Sequence, residues 1–378
     1  RGRAPSAAKN VFKKLVTMRP STMALFHELC QLAPETAIVG SAIWRAEKEL
    51  PLTDIDMMTS LKSEFIERVV YDLNSRNYHQ ALASYFNGGS DLYYYFEKID
   101  ENSVFLKNEK EQKSVSFKYR LVYCFMTTDE KGKIAHSEPH DTPDECDISS
   151  HPAFSYDMIE NSAESRQTKL DSRFLVLQRG HACILDYMDA YESVKKRRIE
   201  LVKDLVPEWF LKNDPIQILR LLKPMLSADF TLEASLAEAY KTHAQSIMLR
   251  LDDKLRKRFQ QSLPTLMAFC VDRNKIQMVV DSHAFLACLS DEAFELVRSE
   301  PDLIAQVKEM LVKSFHPALL EATKSPDFAN KAPEIFNAAM QVASAKLASD
   351  QNEYLSVSNG MGPGLFQAHE PPEPSSGL

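Results

Sequence analysis

The stretch Ile38-Val39-Gly40-Ser41, followed after a polar interval by Thr53-Asp54-Ile55-Asp56-Met57, reads as strand, Gly-Ser, helix, strand. Residues 36–39 are apolar and β-branched up to Gly40-Ser41, the polar run to Leu50 is helical in character, and Pro51 stops it. Residues 53–59 then form a second strand. In Asp-x-Asp on a strand both carboxylates point to one face, because side chains alternate with period two. Two carboxylates on one face repel unless a cation lies between them. Mg²⁺ or Mn²⁺ suits such hard oxygen ligands and keeps positions open for phosphate oxygens. Asp54 and Asp56 are therefore the candidate catalytic and metal-binding residues. An isolated Asp-x-Asp is more commonly a solvated loop. This pair sits inside an apolar strand, a short interval after strand–Gly-Ser–helix.

Outward from this core, Met23, Leu25, Phe26, Leu29 and Leu32 recur at helical spacing, with Ser21 as N-cap and Pro34 as the stop. Residues 1–20 are basic and read as a flexible segment. Phe65, Val69, Val70 and Leu73 mark one side of an amphipathic helix. The aromatic and β-branched runs 91–96 and 114–126 read as strands, 128–165 as a long acidic loop, and 174–177 with 182–187 as a hairpin. Beyond about residue 190 the pattern is helical, beginning with the stripe Ile216, Leu219, Leu222 and Met225. The proline- and glycine-rich run from 351 reads as a disordered tail. The expected architecture is an α/β head at 21–190, a mixed sheet with flanking helices, followed by an all-α body at 191–350 and a tail at 351–378.

Composition limits the function classes. A 378-residue chain with 44% hydrophobic and 26% charged residues has the balance of a globular protein with a sizeable core. A net charge of −8 excludes a surface that is basic throughout, so any RNA contact is local. The candidate patches are Lys195-Lys196-Arg197-Arg198 and residues 254–258, against the plainer reading of solvated helix faces. Six scattered cysteines without a C-x-x-C pair argue against a zinc module and fit reduced thiols in the cytoplasm. No stretch approaches the roughly 18 apolar residues of a membrane span, so no membrane partner is expected. The chain begins at Arg1 rather than Met, the pattern of a fragment or a processed chain.

The order of these motifs resembles the poly(A) polymerase and CCA-adding tRNA nucleotidyltransferase family. There a helix precedes Val-Gly-Gly-x-x-Arg-Asp and Asp-x-Asp follows, as the helix at 21–32 and the interval from Gly40 to Asp54 do here. Cys183-Ile184-Leu185-Asp186-Tyr187 with 194–201 is similar to a second family segment. Residues 209–220, containing Asn213-Asp214-Pro215-Ile216-Gln217 and Arg220, are similar to a third, and Phe230-Thr231-Leu232 follows in place. The resemblance covers about 21–235. It implies a metal-dependent nucleotidyltransferase moving a nucleoside monophosphate from an NTP, with ATP favoured, to an acceptor hydroxyl at an RNA 3′ end. It implies that Gly40 and Ser41 cradle the triphosphate and that Asp171, Asp214 and Arg220 support the nucleotide. The departures are specific. The second glycine is Ser41, Arg-Asp becomes Trp44-Arg45, the sugar- and base-holding motif keeps only Asp171, and the nucleotide-reading set keeps only Asp214 and the later Arg220. A bidentate arginine contact cannot be copied by Gln or Trp.

Two function classes follow: a divergent nucleotidyltransferase, or a catalytically degenerate relative that binds RNA or protein without turnover. A third metal carboxylate from Asp91 or Glu97 competes with a surface-charge reading. Tyr93-Tyr94-Tyr95 reads as core packing before base stacking, and His136 and His140 as loop residues before metal ligands.

Overall fold

Strand β1 (Ala37–Val39) is buried at every position, as a short apolar run in the middle of a sheet must be. It pairs antiparallel with β2 (Ile55–Thr59) on one side and with β7 (Phe174–Gln178) on the other. The sheet continues from β2 through a parallel pairing to β6 (His140–Ser150), then antiparallel to β4 (Gln112–Thr128) and β3 (Leu92–Phe105). Beyond β7 it ends on β8 (His181–Leu185). A short strand, β5 (Ile134–His136), pairs with the end of β4. The computed structural model describes residues 5–105 and 112–360. It divides into a first unit running to Leu205 and including Thr231–Glu233, and a second made of 206–230 and the chain from 234 onward.

One face of the sheet carries the main core. Helices α1 (Pro5–Met18), α2 (Pro20–Leu32) and α4 (Ser63–Phe86) contribute residues such as Leu15, Phe26, Leu29, Ile66 and Val70 to it, against Ile38, Ile55, Met57, Phe117, Ile148 and Leu175 from the strands. The other face holds a smaller cluster in which Ile159 and Ala163 of α5 (Tyr156–Ser165) pack against Ala37, Val39, Phe174 and Val176. In β2 the alternation is strict, with Ile55 and Met57 buried and Asp56 and Met58 on the opposite side. α3 (Ser41–Glu47) and α6 (Tyr191–Lys195) complete the unit, with a two-residue parallel pair of β9 (Arg198–Ile199) and β10 (Thr231–Leu232).

The α/β head followed by a helical body is the architecture expected from the sequence. Several details differ. Residues 1–20 are not a flexible segment from Pro5 on, because Ala8, Val11 and Leu15 form an apolar stripe under the exposed lysines of α1. α2 starts at Pro20, whose fixed φ suits the first helical position, so Arg19 rather than Ser21 stands at the N-cap. Phe65 is 47% exposed and Ile66 takes its place in the core. The segment 128–165 is not a loop: it contains β5, β6 and α5, and β6 alternates buried Asp144, Cys146, Ile148 and Ser150 with partly exposed neighbours. Acidic and hydroxyl residues on its outward positions hide the strand from a hydropathy reading. The junction between units falls at Leu205/Val206 rather than at 190.

Buried polar contacts tie the start of the chain to β6. Arg19 reaches Asp144 at 3.4 Å and the Leu52 carbonyl at 3.1 Å, and the Thr22 hydroxyl donates to Asp144 at 2.8 Å.

The second unit is helical: α7 (Pro207–Asn213), α8 (Gln217–Ala228), α9 (Ala234–Leu249), α10 (Asp253–Leu266), α11 (Arg273–Ser282), α12 (Asp291–Ser299), α13 (Ile304–Met310), α14 (His316–Ala322) and α15 (Phe328–Gly360). A π-turn at Leu311–Phe315 separates α13 from α14. There the His316 N–H reaches back to the Leu311 carbonyl, beside Pro317, which has no N–H to donate. α15 runs through 351–360, which corrects the expected start of the tail. Its inner face carries Phe336, Met340 and Leu347, and the glycine-proline run comes later. Residues 361–378 lie outside the described residues. Within the basic run 254–258, Arg256 is buried and committed to Asp291 at 2.8 Å and the Leu289 carbonyl at 3.0 Å, so it is a structural residue.

Candidate active site

The parallel pairing of β2 and β6 builds the site. Asp56 is the register partner of Asp147, and Asp147 in turn lies opposite Lys118 on β4. Two residues along, Arg120 of β4 lies opposite Glu145 of β6. Because alternate residues share a face, β4 presents Lys118 and Arg120, β6 presents Glu145 and Asp147, and β2 with the residue preceding it presents Asp54 and Asp56. The result is a lattice of four carboxylates and two cations.

The ion pairs follow that lattice. Lys118 Nζ stands 3.0 Å from Asp54 Oδ2 and 3.2 Å from Glu145 Oε2. Arg120 donates to Glu145 Oε1 from Nη2 at 2.6 Å and from Nε at 2.9 Å, and reaches Asp141 at 3.3 Å. Burial pushes Glu145 upward, but Arg120 and Lys118 outweigh it and leave the carboxyl below its ordinary value. Burial opposes the charge on Lys118, yet its hydrogen bonds and attraction to Asp54 and Glu145 raise it above the usual lysine range.

Asp56 and Asp147 are the strained pair. Burial, then the charge of Asp147 and the hydrogen bond it accepts, push Asp56 up to about 7, with Arg166 pulling the other way. Asp147 is also raised, by burial, with Lys118 opposing. An acid held protonated in the folded state and released in the unfolded chain loses stability as pH rises between the two values. The protein without divalent cations should therefore become less stable between about pH 4 and 7 and level off above. The slope from this group reaches at most about 1.4 kcal/mol per pH unit. Melting temperatures in EDTA from pH 5 to 8 measure it. An Asp56→Asn variant with the same slope as the parent would contradict the assignment.

Gly40 explains how the turn approaches Asp56. Its backbone lies at φ +74°, ψ −144° as it enters α3, and a Cβ there would stand 3.3 Å from Asp56 Oδ2. The neighbouring Ser41 hydroxyl lies 3.3 Å from that of Thr53, the residue before Asp54. The structure thus gathers Gly40, Ser41, Asp54 and Asp56 in one place.

Of the other residues expected at the site, Asp171 belongs to the same unit. Asp171 ends a short 3₁₀ turn near Arg45, a buried guanidinium of α3 lying 4.6 Å from the Trp44 ring. Burial lowers the Arg45 pKa and Asp171 partly restores it. Asp214 and Arg220 belong to the second unit and pair with each other at 3.8 Å, while Gln217 donates to Asp214 at 3.2 Å.

Neither Asp91 nor Glu97 is the carboxylate next to the pair. Asp91 precedes edge strand β3 and Glu97 lies on it, two strands out from β6, where it faces Arg120. The neighbour is Asp147, which sequence reading missed together with Lys118, Glu145 and Arg120. The signal was present in Glu145-Cys146-Asp147-Ile148, where acids alternate with buried apolar residues. His140 stacks on Tyr123 with centroids 5.0 Å apart, and His136 lies beside Tyr78 at 5.7 Å.

The donor set fits a hard divalent cation: carboxylate oxygens converge from two adjacent strands, and burial with neighbouring carboxylates raises both Asp56 and Asp147. No group of three or more His, Cys, Asp or Glu side chains among the described residues forms a ready-made cage. That agrees with the habit of Mg²⁺ to take one or two carboxylates and fill its remaining positions with water and phosphate.

No family model matches the sequence, and no curated protein does. Among solved structures, a CCA-adding enzyme in complex with ATP matches over 93% of this chain and 86% of its own, at 14% identity and a TM-score of 0.46. The CCA-adding enzyme of Bacillus stearothermophilus in complex with CTP covers 87% and 81%, at 13% identity and a TM-score of 0.43. That of Thermotoga maritima, complexed with tRNA, covers 90% and 84%, at 13% identity and a TM-score of 0.43. The chain is similar to these enzymes in overall course, over about nine tenths of its length. Among the described residues no helix is long and apolar enough to cross a membrane.

Proposed function

We propose that this chain is a divalent-cation-dependent nucleotidyltransferase that transfers a nucleoside monophosphate from an NTP, with ATP favoured, to the 3′ hydroxyl of an RNA. The observation that carries the reading is the register-matched Asp56–Asp147 pair on β2 and β6, with Asp54 two residues before Asp56 and Gly40 against Asp56. Asp54 and Asp56 would hold Mg²⁺ or Mn²⁺, with Asp147 as the register partner of Asp56, and the ion would supply activation of the attacking hydroxyl and charge neutralisation of the leaving pyrophosphate. The chain's own residues do the rest. Gly40, lacking a side chain, lets the turn approach the triphosphate. Ser41 offers it a hydroxyl, held toward Thr53. Asp171, through Arg45, steadies α3 behind that turn. The free cysteines fit a reducing, cytoplasmic setting.

One observation favours a second reading, that of a degenerate relative binding RNA or protein: the Lys118 ammonium already sits on Asp54. Incubation with Mg²⁺ or Mn²⁺, each labelled NTP in turn and a mixed RNA acceptor distinguishes the two. The nucleotidyltransferase reading expects label in RNA, lost in an Asp54→Ala/Asp56→Ala double variant. Label that persists in the double variant sinks the site. Absence of product with every NTP, together with absence of a cation-dependent thermal shift, leaves the binding module. A protein added as acceptor tests nucleotidylation of a side chain.

A further inference from the structure

Resting on that metal-site reading, we infer that Lys118 is a displaceable internal cation, holding Asp54 when no divalent ion is bound and competing with the ion for that carboxylate. The register places Lys118 one strand beyond Asp147, and its side chain reaches over β6 to Asp54 Oδ2 at 3.0 Å. Arg120, the other cation of the lattice, is committed to Glu145 and Asp141. Arg166 donates to the Met58 sulfur at 3.4 Å and lowers the pKa of Asp56. Lys118 is therefore the positive charge standing where Asp54 would meet a metal.

Two features make it displaceable rather than a fixed strut. An ammonium on a flexible four-carbon stem is a point charge without a planar fork to lock it. Glu145 Oε2, at 3.2 Å, is a second partner that keeps the ammonium when Asp54 is taken by a metal. The Lys118 and Asp54 side chains are about one third exposed, at 32% and 35%, so solvent reaches both during the exchange. Lys118 is a positioning residue whose charge sets how tightly the site takes a divalent ion.

The test uses Mn²⁺ alone, with free ion counted by electron paramagnetic resonance, on the whole chain and on Lys118→Met, Lys118→Gln and Lys118→Arg. Removing one cation from the ion's immediate neighbourhood should tighten Mn²⁺ binding about tenfold in the Met and Gln variants. Lys118→Arg should stay within about threefold of the parent, since the charge remains. The gain should vanish on an Asp54→Asn background, because the competition runs through that carboxylate. Without metal, Lys118→Met should melt lower than the parent, and Mn²⁺ should raise its melting temperature more. Binding that appears only when Lys118 is removed supports the inference in its strongest form. Unchanged or weaker Mn²⁺ affinity in Lys118→Met and Lys118→Gln, with binding lost in Asp56→Asn, overturns the role of Lys118 and leaves the metal site standing. Absence of Mn²⁺ binding in the parent and every Lys118 variant overturns both.

Discussion

Asp56→Asn should reduce nucleotidyl transfer at least about a thousandfold and, in EDTA at pH 8, raise the melting temperature. The loss corresponds to about 4 kcal/mol of transition-state stabilisation, reasonable for removing one of the carboxylates on which the proposed cation depends. The gain in stability has a separate cause. Asp56 is pushed up to about 7 by burial and by Asp147, so at pH 8 the folded protein holds two carboxylates that repel in a poorly solvated place. An amide of the same shape is neutral and can still donate to Asp147. Relieving the repulsion should contribute on the order of 1–3 kcal/mol, with part of the shift belonging to the pair rather than to Asp56 alone. In a unit of this size that is roughly 2–12 °C. Differential scanning fluorimetry beside a labelled-NTP assay reads both. Retained transfer, or a lower melting temperature, would show that Asp56 is an ordinary structural acid.

Gly40→Ala should cost about 2–3 kcal/mol of stability and lower transfer about a hundredfold. Its backbone at φ +74°, ψ −144° lies where residues with a Cβ are strained by about 1–3 kcal/mol. The new methyl would also stand 3.3 Å from Asp56 Oδ2, so that carboxylate must yield by a few tenths of an ångström or more. A small misplacement at a reacting centre is enough for a loss of that order. Ser41→Ala is the contrast. It removes a 3.3 Å hydroxyl contact with Thr53 and leaves the backbone alone, so its stability should stay within about 1 kcal/mol of the parent. Chemical denaturation and initial rates on the two variants separate the roles. Equal stability losses at 40 and 41 would remove the argument from the backbone.

The residues legible before the structure were those whose meaning is local. Period-two alternation through Asp54-Ile55-Asp56-Met57 put two acids on one face, and β2 has that alternation. Gly40-Ser41 marked the end of a strand before a helix, and α3 begins at Ser41. The core stripes of α2 and α8 followed from 3.6-residue spacing, except Leu32, which is 60% exposed. What was not legible failed for identifiable reasons. α1 carries lysines on its outer side, which made the segment look solvated although Ala8, Val11 and Leu15 are buried. β6 carries acids and hydroxyls on the positions that alternate with its apolar residues, which made a central strand look like a loop.

The sequence by itself therefore determined that the chain has an α/β head with an Asp-x-Asp strand behind a Gly-Ser turn, and a helical body after it. These rest on periodicities and turn chemistry that act over a few residues. The tertiary structure alone decided the company those acids keep. A parallel pairing brings β6 against β2 across a long stretch of chain, and neither strand's local pattern encodes its partner or register. That pairing sets Asp147 against Asp56. The next strand sends Lys118 over to Asp54. Electrostatic character at this site is a property of side chains brought together across strands, and their charges act through space rather than along the sequence.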